Sequence, residues 1–427
     1  MHSMKNSKKL LKKSKNLIPA LSQTFSKAPY SYVEGVYPTF MSHGKGSHLY
    51  DVDNNEFIDY VLALGPVTLG YQYKRVDDAI KNQLKQGISF SMPHYTEVEL
   101  SEEIKSIIPG TDMVRFSKTG SDAGTGAVRA ARAHTGYDNI AYCGGGGVWH
   151  DWFTTITNRN QGIPKVLKKM IKKFTYNDID SLKILFEDWK GEVATVYMEP
   201  MMTEYPKNNF LQQVKKIAHK NGAVLIFDEV ITGFRFANGG AQELLKIEAD
   251  LVVFGKGIGN GMPLGAITGK RKFMDKFNDV FYSTTYGGEA LSLAAGTAVI
   301  REIKEKPVIK HCWSLGKSFI SNFNRIAEEL SLNVKMEGIP VRSKIVCKDE
   351  KGEPSLVLKS LFYQECVKRG VLFGPGYVFL SYSHSKKDIA KTLEVCEISM
   401  KILKNAIKEK NVKKLLKGNK MKQVMTF

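Results

Sequence analysis

The sequence predicts an α/β fold in which a mostly parallel sheet brings polar residues to one edge. Residues 224–227 and 251–254 form two fully apolar runs, with the length and β-branching of strands buried on both faces. Asp228 follows the first run, and Lys256 follows the second after one glycine. The carboxyl ends of strands in an open parallel sheet form its ligand crevice. An acid and an amine at two such ends therefore predict a site for chemistry.

The types of these two residues indicate which chemistry. A lysine can form an imine with an aldehyde cofactor, and an aspartate can keep a pyridinium nitrogen protonated. This pairing holds and tunes pyridoxal phosphate (PLP). The structural alternative is that Asp228 caps a helix and Lys256 lies on a solvated loop. That alternative is favoured for either residue alone, but the pair, at the ends of two buried strands and among glycines, favours a PLP site.

The sequence around Asp228 and Lys256 resembles that of a known family. Residues 228–235 read Asp-Glu-Val-Ile-Thr-Gly-Phe-Arg, and residues 255–266 read Gly-Lys-Gly-Ile-Gly-Asn-Gly-Met-Pro-Leu-Gly-Ala. These motifs resemble the signature of class III (subgroup II) PLP-dependent aminotransferases, and most of all the glutamate-1-semialdehyde aminomutase branch. The resemblance extends from about residue 17 to about residue 405, and long motifs of this kind are more specific than a lone glycine triplet.

The resemblance implies PLP-dependent transferase fold type I, with a large domain around a mostly parallel, seven-stranded sheet and a small α/β domain built from both chain ends. It divides the chain into five parts. These are a basic tail (1–16), an N-terminal segment that joins the small domain (17–75), the large PLP-binding domain (76–305), the C-terminal part of the small domain (306–405) and a second basic tail (406–427).

A glycine turn before a helix predicts the phosphate site. Residues 113–116 read as a strand, and Thr119-Gly120-Ser121-Asp122 leads into an alanine-rich helix. Free backbone amides and the helix dipole make such a start an anion site. The family pattern Ser-Gly-Thr-Glu lies at this position, so we assign the PLP phosphate to Gly120 and Ser121, supported by Thr119. The alternative is an ordinary capped helix.

The resemblance also implies roles for residues around the cofactor. Val230 is expected to press on one ring face, and Glu199 to support the cofactor pocket, although a structural ion pair is an equal alternative. Glu204 is expected either near the phenolic oxygen of PLP or in solvent. Thr285 matches the threonine that reaches the PLP phosphate of the other subunit, which implies a homodimer with active sites completed in trans.

Two further residues are candidates for substrate contact. Lys27 lies where the aminomutases carry an arginine that meets the substrate carboxylate, and lysine offers a point charge instead of a fork. A surface position for Lys27 is the alternative. His94 follows a proline in a loop and could touch substrate, or it could be structural.

The chain departs from the family where an aromatic ring should stack on the cofactor. Residues 144–147 are four glycines, so either Trp149 or His150 is expected to stack there, or both pack structurally. The run from Trp149 to Trp152 resembles a sugar- or cell-surface-associated branch, which suggests a sugar-linked or small aldehyde or ketone acceptor. No acidic residue lies between 371 and 384, where aminomutases have one. This absence, with Lys27 and Glu204, argues against the aminomutase substrate.

Composition limits the other classes of function. The 427 residues are 43% hydrophobic and 25% charged, ordinary for a globular protein, and no apolar run approaches the ~18 residues of a membrane span. Five cysteines without metal-type spacing indicate free thiols in a reducing compartment, the cytoplasm by default, and no metal site. Of the net charge of +19, +14 lies in residues 1–15 and 401–427. Basic tails are typically solvated and disordered, and the rest of the chain is only mildly basic. The net charge therefore does not indicate nucleic acid as a partner.

The sequence therefore leaves three hypotheses for function. The first is a PLP-dependent aminotransferase that moves an amino group from an amino donor to a carbonyl acceptor. The second is intramolecular amino transfer of the glutamate-1-semialdehyde aminomutase type. The third is a catalytically decayed scaffold whose basic tails bind a polyanion.

Overall fold

The structure is a computed structural model that describes residues 3–145 and 148–423. Within these ranges the chain forms two compact units. The first unit combines residues 3–73 with residues 310–423, and the second unit spans residues 74–309. The first unit is therefore built from both ends of the described chain.

The first unit begins with a helix and a three-stranded meander: α1 (Lys5–Ser14), β1 (Met41–Lys45), β2 (His48–Asp51) and β3 (Glu56–Asp59). The backbone N–H groups of Asn6 and Ser7 donate to the Asp53 carboxylate at 2.6 and 2.9 Å. This anchor joins α1 to the turn between β2 and β3. The sequence left a frayed tail or the start of a surface helix open for residues 1–16, and residues 5–14 form a helix.

The second unit is organised around a seven-stranded sheet of order β4-β10-β9-β8-β7-β5-β6. Its strands are β4 (Met113–Ser117), β5 (Asn139–Cys143), β6 (Ile171–Lys173), β7 (Val193–Met198), β8 (Val224–Asp228), β9 (Leu251–Phe254) and β10 (Gly265–Gly269). Strand β10 is antiparallel to both neighbours, and the other pairings are parallel. The predicted mostly parallel, seven-stranded sheet is confirmed.

Helices flank this sheet: α2 (Lys74–Leu84), α3 (Tyr95–Ile107), α4 (Gly120–Thr135), α5 (Asp151–Thr154), α6 (Ile179–Asp188), α7 (Phe210–Lys220), α8 (Ala241–Leu245), α9 (Arg271–Met274) and α10 (Ala290–Glu305). Helix α4 buries a stripe of small residues against the sheet: Ala123, Ala127, Ala130 and Ala131. Small side chains let the helix axis approach the strands closely, which fixes the position of its N-terminus.

The C-terminal half supplies α11 (Val308–Glu329), β11 (Val334–Ile339), β12 (Arg342–Cys347), α12 (Leu356–Val367), β13 (Val371–Leu372), α13 (Lys386–Lys408) and α14 (Val412–Leu415). Strand β13 pairs in parallel with β3, so one four-stranded sheet contains strands from both ends of the chain. The second basic segment is also ordered as far as it is described. The N–H groups of Lys417 and Met421 donate to Gln364 and Ser360 of α12.

No helix among the described residues is both long and apolar enough to cross a membrane.

Candidate active site

Lys256 lies just beyond the carboxyl end of β9, separated from it by Gly255. Its backbone is left-handed, with φ of +43°. A residue with a Cβ pays about 1–2 kcal/mol for that conformation, and such strain clusters at functional sites. The strain and the position at a strand end both mark Lys256 as more than a surface residue.

Asp228 is the last residue of β8 and pairs in register with Val253 of β9. Its Oδ1 accepts a hydrogen bond from the Val230 N–H at 3.0 Å, and its Oδ2 accepts one from the Tyr197 hydroxyl at 2.8 Å. Burial, and then the nearby Glu199, raise the pKa of Asp228 to about 6. The two hydrogen bonds and the charge of Lys256 oppose this rise. Acid and amine thus interact electrostatically, as the sequence led us to expect.

The turn before α4 is a capped helix start. Thr119 is the N-cap: its Oγ1 accepts from the Asp122 N–H at 3.1 Å, and Asp122 accepts from the Thr119 N–H at 2.9 Å. Gly120 and Ser121 occupy the first turn, where N–H groups have no partner within the helix. The cap stated as the alternative is therefore present, and binding of the PLP phosphate by these first amides stays a prediction.

Three elements meet where the cofactor phosphate and ring are expected. A Cβ on Gly120 would lie 2.5 Å from a methyl group of Val230, and a Cβ on Gly255 would lie 3.3 Å from the Gly120 backbone. Glycine is required at position 120, whereas a Cβ at position 255 would need the neighbouring backbone to shift by a few tenths of an ångström. The start of α4, an apolar side chain and the backbone before Lys256 are thus close together. With Asp228 they supply a helix N-terminus, an apolar wall, an acid and an amine, which are groups that fit PLP.

Tyr197 belongs to this site, although no sequence motif marks it. The residue is the last but one of β7, is fully buried, and reads in sequence as an ordinary core residue of a buried strand. Its hydroxyl reaches the carboxylate at the end of the neighbouring strand, 31 positions later. The alternation of side chains along one strand does not show which residue of a neighbouring strand a side chain contacts.

Glu199 lies beside the same acid. It is buried after β7, and its Oε1 accepts a hydrogen bond from the Gly145 N–H at 3.0 Å. Its negative charge is the second cause of the raised pKa of Asp228. Glu199 therefore both fixes the chain after β5 and acts on the candidate cofactor acid.

The two candidates for ring stacking lie near the start of α4. The Trp149 N–H donates to Ser121 Oγ at 3.2 Å, and its indole is 67% exposed. The His150 ring packs against that indole at 4.1 Å, and its Nε2 lies 3.4 Å from Asp122. Glycines 146 and 147 lie outside the described residues. Stacking by Trp149 or His150 stays a prediction.

Of three other candidates, Glu204 and His94 have partners of their own and Thr285 is exposed. Glu204 is exposed and pairs with Lys207 at 2.9 Å, which corresponds to the solvent alternative stated for it. Thr285 is exposed in the turn before α10. His94 stacks on Phe90 at 4.5 Å and bonds to the Thr96 hydroxyl at 2.9 Å, an arrangement that supports its structural alternative.

Lys27 lies in the first unit, at the end of a short 3-10 turn, and borders a cavity of about 570 Å³ within that unit. The cavity wall is largely apolar, with Val33, Tyr37 and Leu372 among its residues. Lys15 borders the same cavity, and so do the carboxylates of Glu34 and Asp59. The substrate role of Lys27 stays a prediction.

The geometry agrees with what known proteins show. Residues 30–397 match the family described as aminotransferase class-III. The chain belongs to the class III aminotransferases. Enzymes of this family use PLP, so the cofactor predicted from Asp228 and Lys256 is confirmed, and so is the aminotransferase or aminomutase class of the chain.

Two curated relatives of this class III aminotransferase have different names. It is 33% identical to the 3-aminobutyryl-CoA aminotransferase of Cloacimonas acidaminovorans, over 93% of this chain and 97% of the relative. It is 35% identical to the glutamate-1-semialdehyde 2,1-aminomutase of Acetivibrio thermocellus, over 92% of this chain and 97% of the relative. Among solved structures, the FumI protein of Sphingopyxis sp. MTA144, in its PLP internal aldimine form, superposes with a TM-score of 0.89. That match has 27% identity and covers 94% of this chain and 97% of FumI.

Proposed function

We propose that Lys256 is the residue that binds PLP covalently, that Asp228 holds its ring nitrogen, and that the reaction is an intermolecular transamination. The observation that carries the proposal is the joint placement of the two residues. Lys256 has a left-handed backbone beyond β9, Asp228 ends the adjacent β8, and the charge of Lys256 lowers the pKa of that acid.

Each residue of the proposed site has a separate role in the reaction. When bound, PLP supplies an electron sink for the substrate α-carbon and carries the amino group between two substrates. Lys256 Nζ would take the proton from the α-carbon of the donor and pass it to the bound cofactor, and it would carry a proton in the opposite direction when the acceptor is aminated. Asp228 keeps the ring nitrogen protonated, the first amides of α4 hold the phosphate, and Val230 forms an apolar wall. Glu199 supports the pocket through the chain at Gly145.

Transamination between two molecules is favoured over the aminomutase reaction by three departures from the aminomutase pattern. Lys27 replaces an arginine, Glu204 replaces an asparagine, and no acid lies between residues 371 and 384. The exposed ion pair of Glu204 with Lys207 supports the view that it serves no aminomutase role. The proposed acceptor is a sugar-linked or small aldehyde or ketone, with Lys27 meeting a substrate carboxylate and with His94 in a supporting position.

We propose a homodimer in which Thr285 completes the site of the other subunit. The exposure of Thr285 in the turn before α10 supports this role, because a residue that reaches across an interface must be accessible on its own chain. A cytoplasmic location is proposed as well. It is supported by the five cysteines, which are all free and buried as a reducing compartment permits.

The deciding experiment is a visible spectrum of the purified protein saturated with PLP, with and without borohydride, followed by a screen of single donors. Wild type should turn yellow and hold PLP irreversibly after reduction, whereas Lys256→Ala should retain none after dialysis. Lys246→Ala is the matched control, because Lys246 is a second lysine with a left-handed backbone, at φ of +51°, and lies exposed after α8.

The donor screen separates the two reaction types. An aminotransferase reaches the pyridoxamine form with a donor alone and then needs an acceptor, whereas a mutase turns over glutamate-1-semialdehyde without a second substrate. The names of the relatives add 3-aminobutyryl-CoA to the donors. A protein that stays colourless with PLP, or a reduced adduct that survives in Lys256→Ala, would refute the assignment.

A further inference from the structure

The Tyr197 hydroxyl donates a hydrogen bond to Asp228 Oδ2 at 2.8 Å. Asp228 is the acid that is expected to hold the cofactor nitrogen. We propose that Tyr197 is a positioning residue that keeps Asp228 ionised and correctly aimed. This inference rests on the proposed role of Asp228. It adds a residue from a fourth element, β7, to a site otherwise drawn from β8, β9 and the start of α4.

The two oxygens of Asp228 are held by different partners. Oδ1 accepts from the Val230 N–H at 3.0 Å, which fixes the carboxylate to its own turn. Oδ2 accepts from Tyr197, and a carboxylate oxygen has a second lone-pair site. Asp228 also keeps part of its surface accessible. Tyr197 therefore orients the carboxylate and still leaves an acceptor position for the N–H of a ring.

Packing fixes the hydroxyl of Tyr197 in this position. The Trp152 ring lies edge-on against the phenol at 5.3 Å, and its Nε1–H donates to Thr125 Oγ1 of α4 at 2.9 Å. Gly124 faces the hydroxyl, since a Cβ there would lie 2.8 Å from it. The absence of a side chain at position 124 provides the space in which the hydroxyl lies.

The charges around Asp228 explain why a donor is needed. Burial and the negative charge of Glu199 both raise the pKa of Asp228, and a neutral acid cannot keep a ring nitrogen protonated. A hydrogen bond donated to the carboxylate favours its ionised form. Burial and Asp228 itself also raise the pKa of Tyr197 well above its usual value. The phenol therefore remains protonated and remains a donor across the working pH range.

The experiment follows the proton on the ring nitrogen directly, with ¹⁵N-labelled PLP bound to the full-length protein. In wild type the nitrogen chemical shift should be that of a protonated pyridine. In Tyr197→Phe the equilibrium between a proton on nitrogen and a proton on Asp228 should move roughly tenfold towards Asp228, because a hydrogen bond to a charged group is lost. The rate of the donor half-reaction should fall by about the same factor, with little change in KM.

The matched control is Tyr176→Phe, which also removes one buried tyrosine hydrogen bond, from its hydroxyl to the Pro200 carbonyl at 3.0 Å. This variant should lose stability but keep the wild-type nitrogen shift. Gly124→Ala is the second variant, because it retains the phenol and displaces its hydroxyl. It should shift the proton in the same direction, and it decides the matter if Tyr197→Phe does not fold.

The outcomes separate this inference from the proposed function. If wild type binds PLP with a protonated nitrogen and both Tyr197→Phe and Gly124→Ala match it, Tyr197 is only structural and the inference is wrong. If wild type itself shows an unprotonated nitrogen, or Asp228→Asn leaves the shift unchanged, the role of Asp228 is wrong and the inference falls with it.

Discussion

Two strand-end aspartates, one in each unit, have nearly the same hydrogen-bond partners. Asp59 ends β3 of the first unit, and Asp228 ends β8 of the second. Each accepts the N–H of the residue two positions later, at 2.8 Å from Val61 and 3.0 Å from Val230. Each also accepts a hydrogen bond from a tyrosine hydroxyl, Asp59 from Tyr71 at 2.7 Å and Asp228 from Tyr197 at 2.8 Å. Burial raises the pKa of each carboxyl to about 6.

The two aspartates differ in how much of each carboxylate remains accessible. Asp59 is completely buried, and its Oδ2 accepts both the Leu62 N–H and the Tyr71 hydroxyl. It holds a turn in which Leu62, Ala63 and Leu64 all have left-handed backbones. Asp228 is partly accessible and has one donor on each oxygen. A strand-end aspartate with a tyrosine partner is thus a structural clamp when it is completely buried, and a candidate reactive group when part of its carboxylate stays accessible.

The largest expected effect separates the two aspartates by function. Asp228→Asn should lower the rate of the donor half-reaction by about 10²–10³-fold, because a neutral amide cannot hold a protonated ring nitrogen. Asp59→Asn should change that rate per folded molecule by less than about tenfold, while lowering the free energy of unfolding by about 2–3 kcal/mol through lost charge-assisted hydrogen bonds. Stopped-flow absorbance and urea titration measure the two quantities. Equal losses of rate in the two variants would remove the distinction.

The same comparison predicts a pH dependence of the protein without PLP. The pKa of Asp228 is about 6 when folded and 3.8 ordinarily, so the folded state favours the protonated form. Its ionisation as pH rises from about 4 to 6 therefore costs stability, on the order of 2 kcal/mol. Asp228→Asn cannot ionise, so its unfolding free energy relative to wild type should increase by about that amount between pH 4 and 7.5. Urea unfolding at both pH values tests this, and a difference that is independent of pH contradicts it.

How far the sequence predicts this molecule depends on whether a contact is local. The strands at 224–227 and 251–254 could be placed to within one residue, since a short, β-branched apolar run specifies a buried strand by itself. Helix α1 could not be distinguished from a solvated tail. Its first N–H groups are held by Asp53, some 46 residues away, and nothing in a lysine-rich segment reports that partner.

The candidate site shows the same limit. Asp228, Lys256 and the start of α4 were predictable because each is a polar or glycine-rich break directly after an apolar strand. Tyr197 was not, because its role depends on the register of β7 against β8. The sequence also could not separate Asp59 from Asp228, as both follow apolar strands. Only the accessibility of each carboxylate in the folded chain separates them.

The smallest expected effect compares the two tyrosine partners. Tyr71→Phe removes the hydroxyl that donates to Asp59, and it should lower the free energy of unfolding by about 1–2 kcal/mol at pH 7.5. The Tyr71 hydrogen bond favours the ionised form of Asp59, so the loss should be smaller at pH 4, where the carboxyl is protonated in the folded state. Urea unfolding at the two pH values measures this.

The ¹⁵N shift of bound PLP should be the same in Tyr71→Phe as in wild type, in contrast to Tyr197→Phe. The reason is that Asp59 is completely buried, so a ring nitrogen cannot reach its carboxylate, whatever its protonation state. If Tyr71→Phe moved the proton on the PLP nitrogen as far as Tyr197→Phe does, the accessibility of the carboxylate would not be what separates the clamp from the reactive acid.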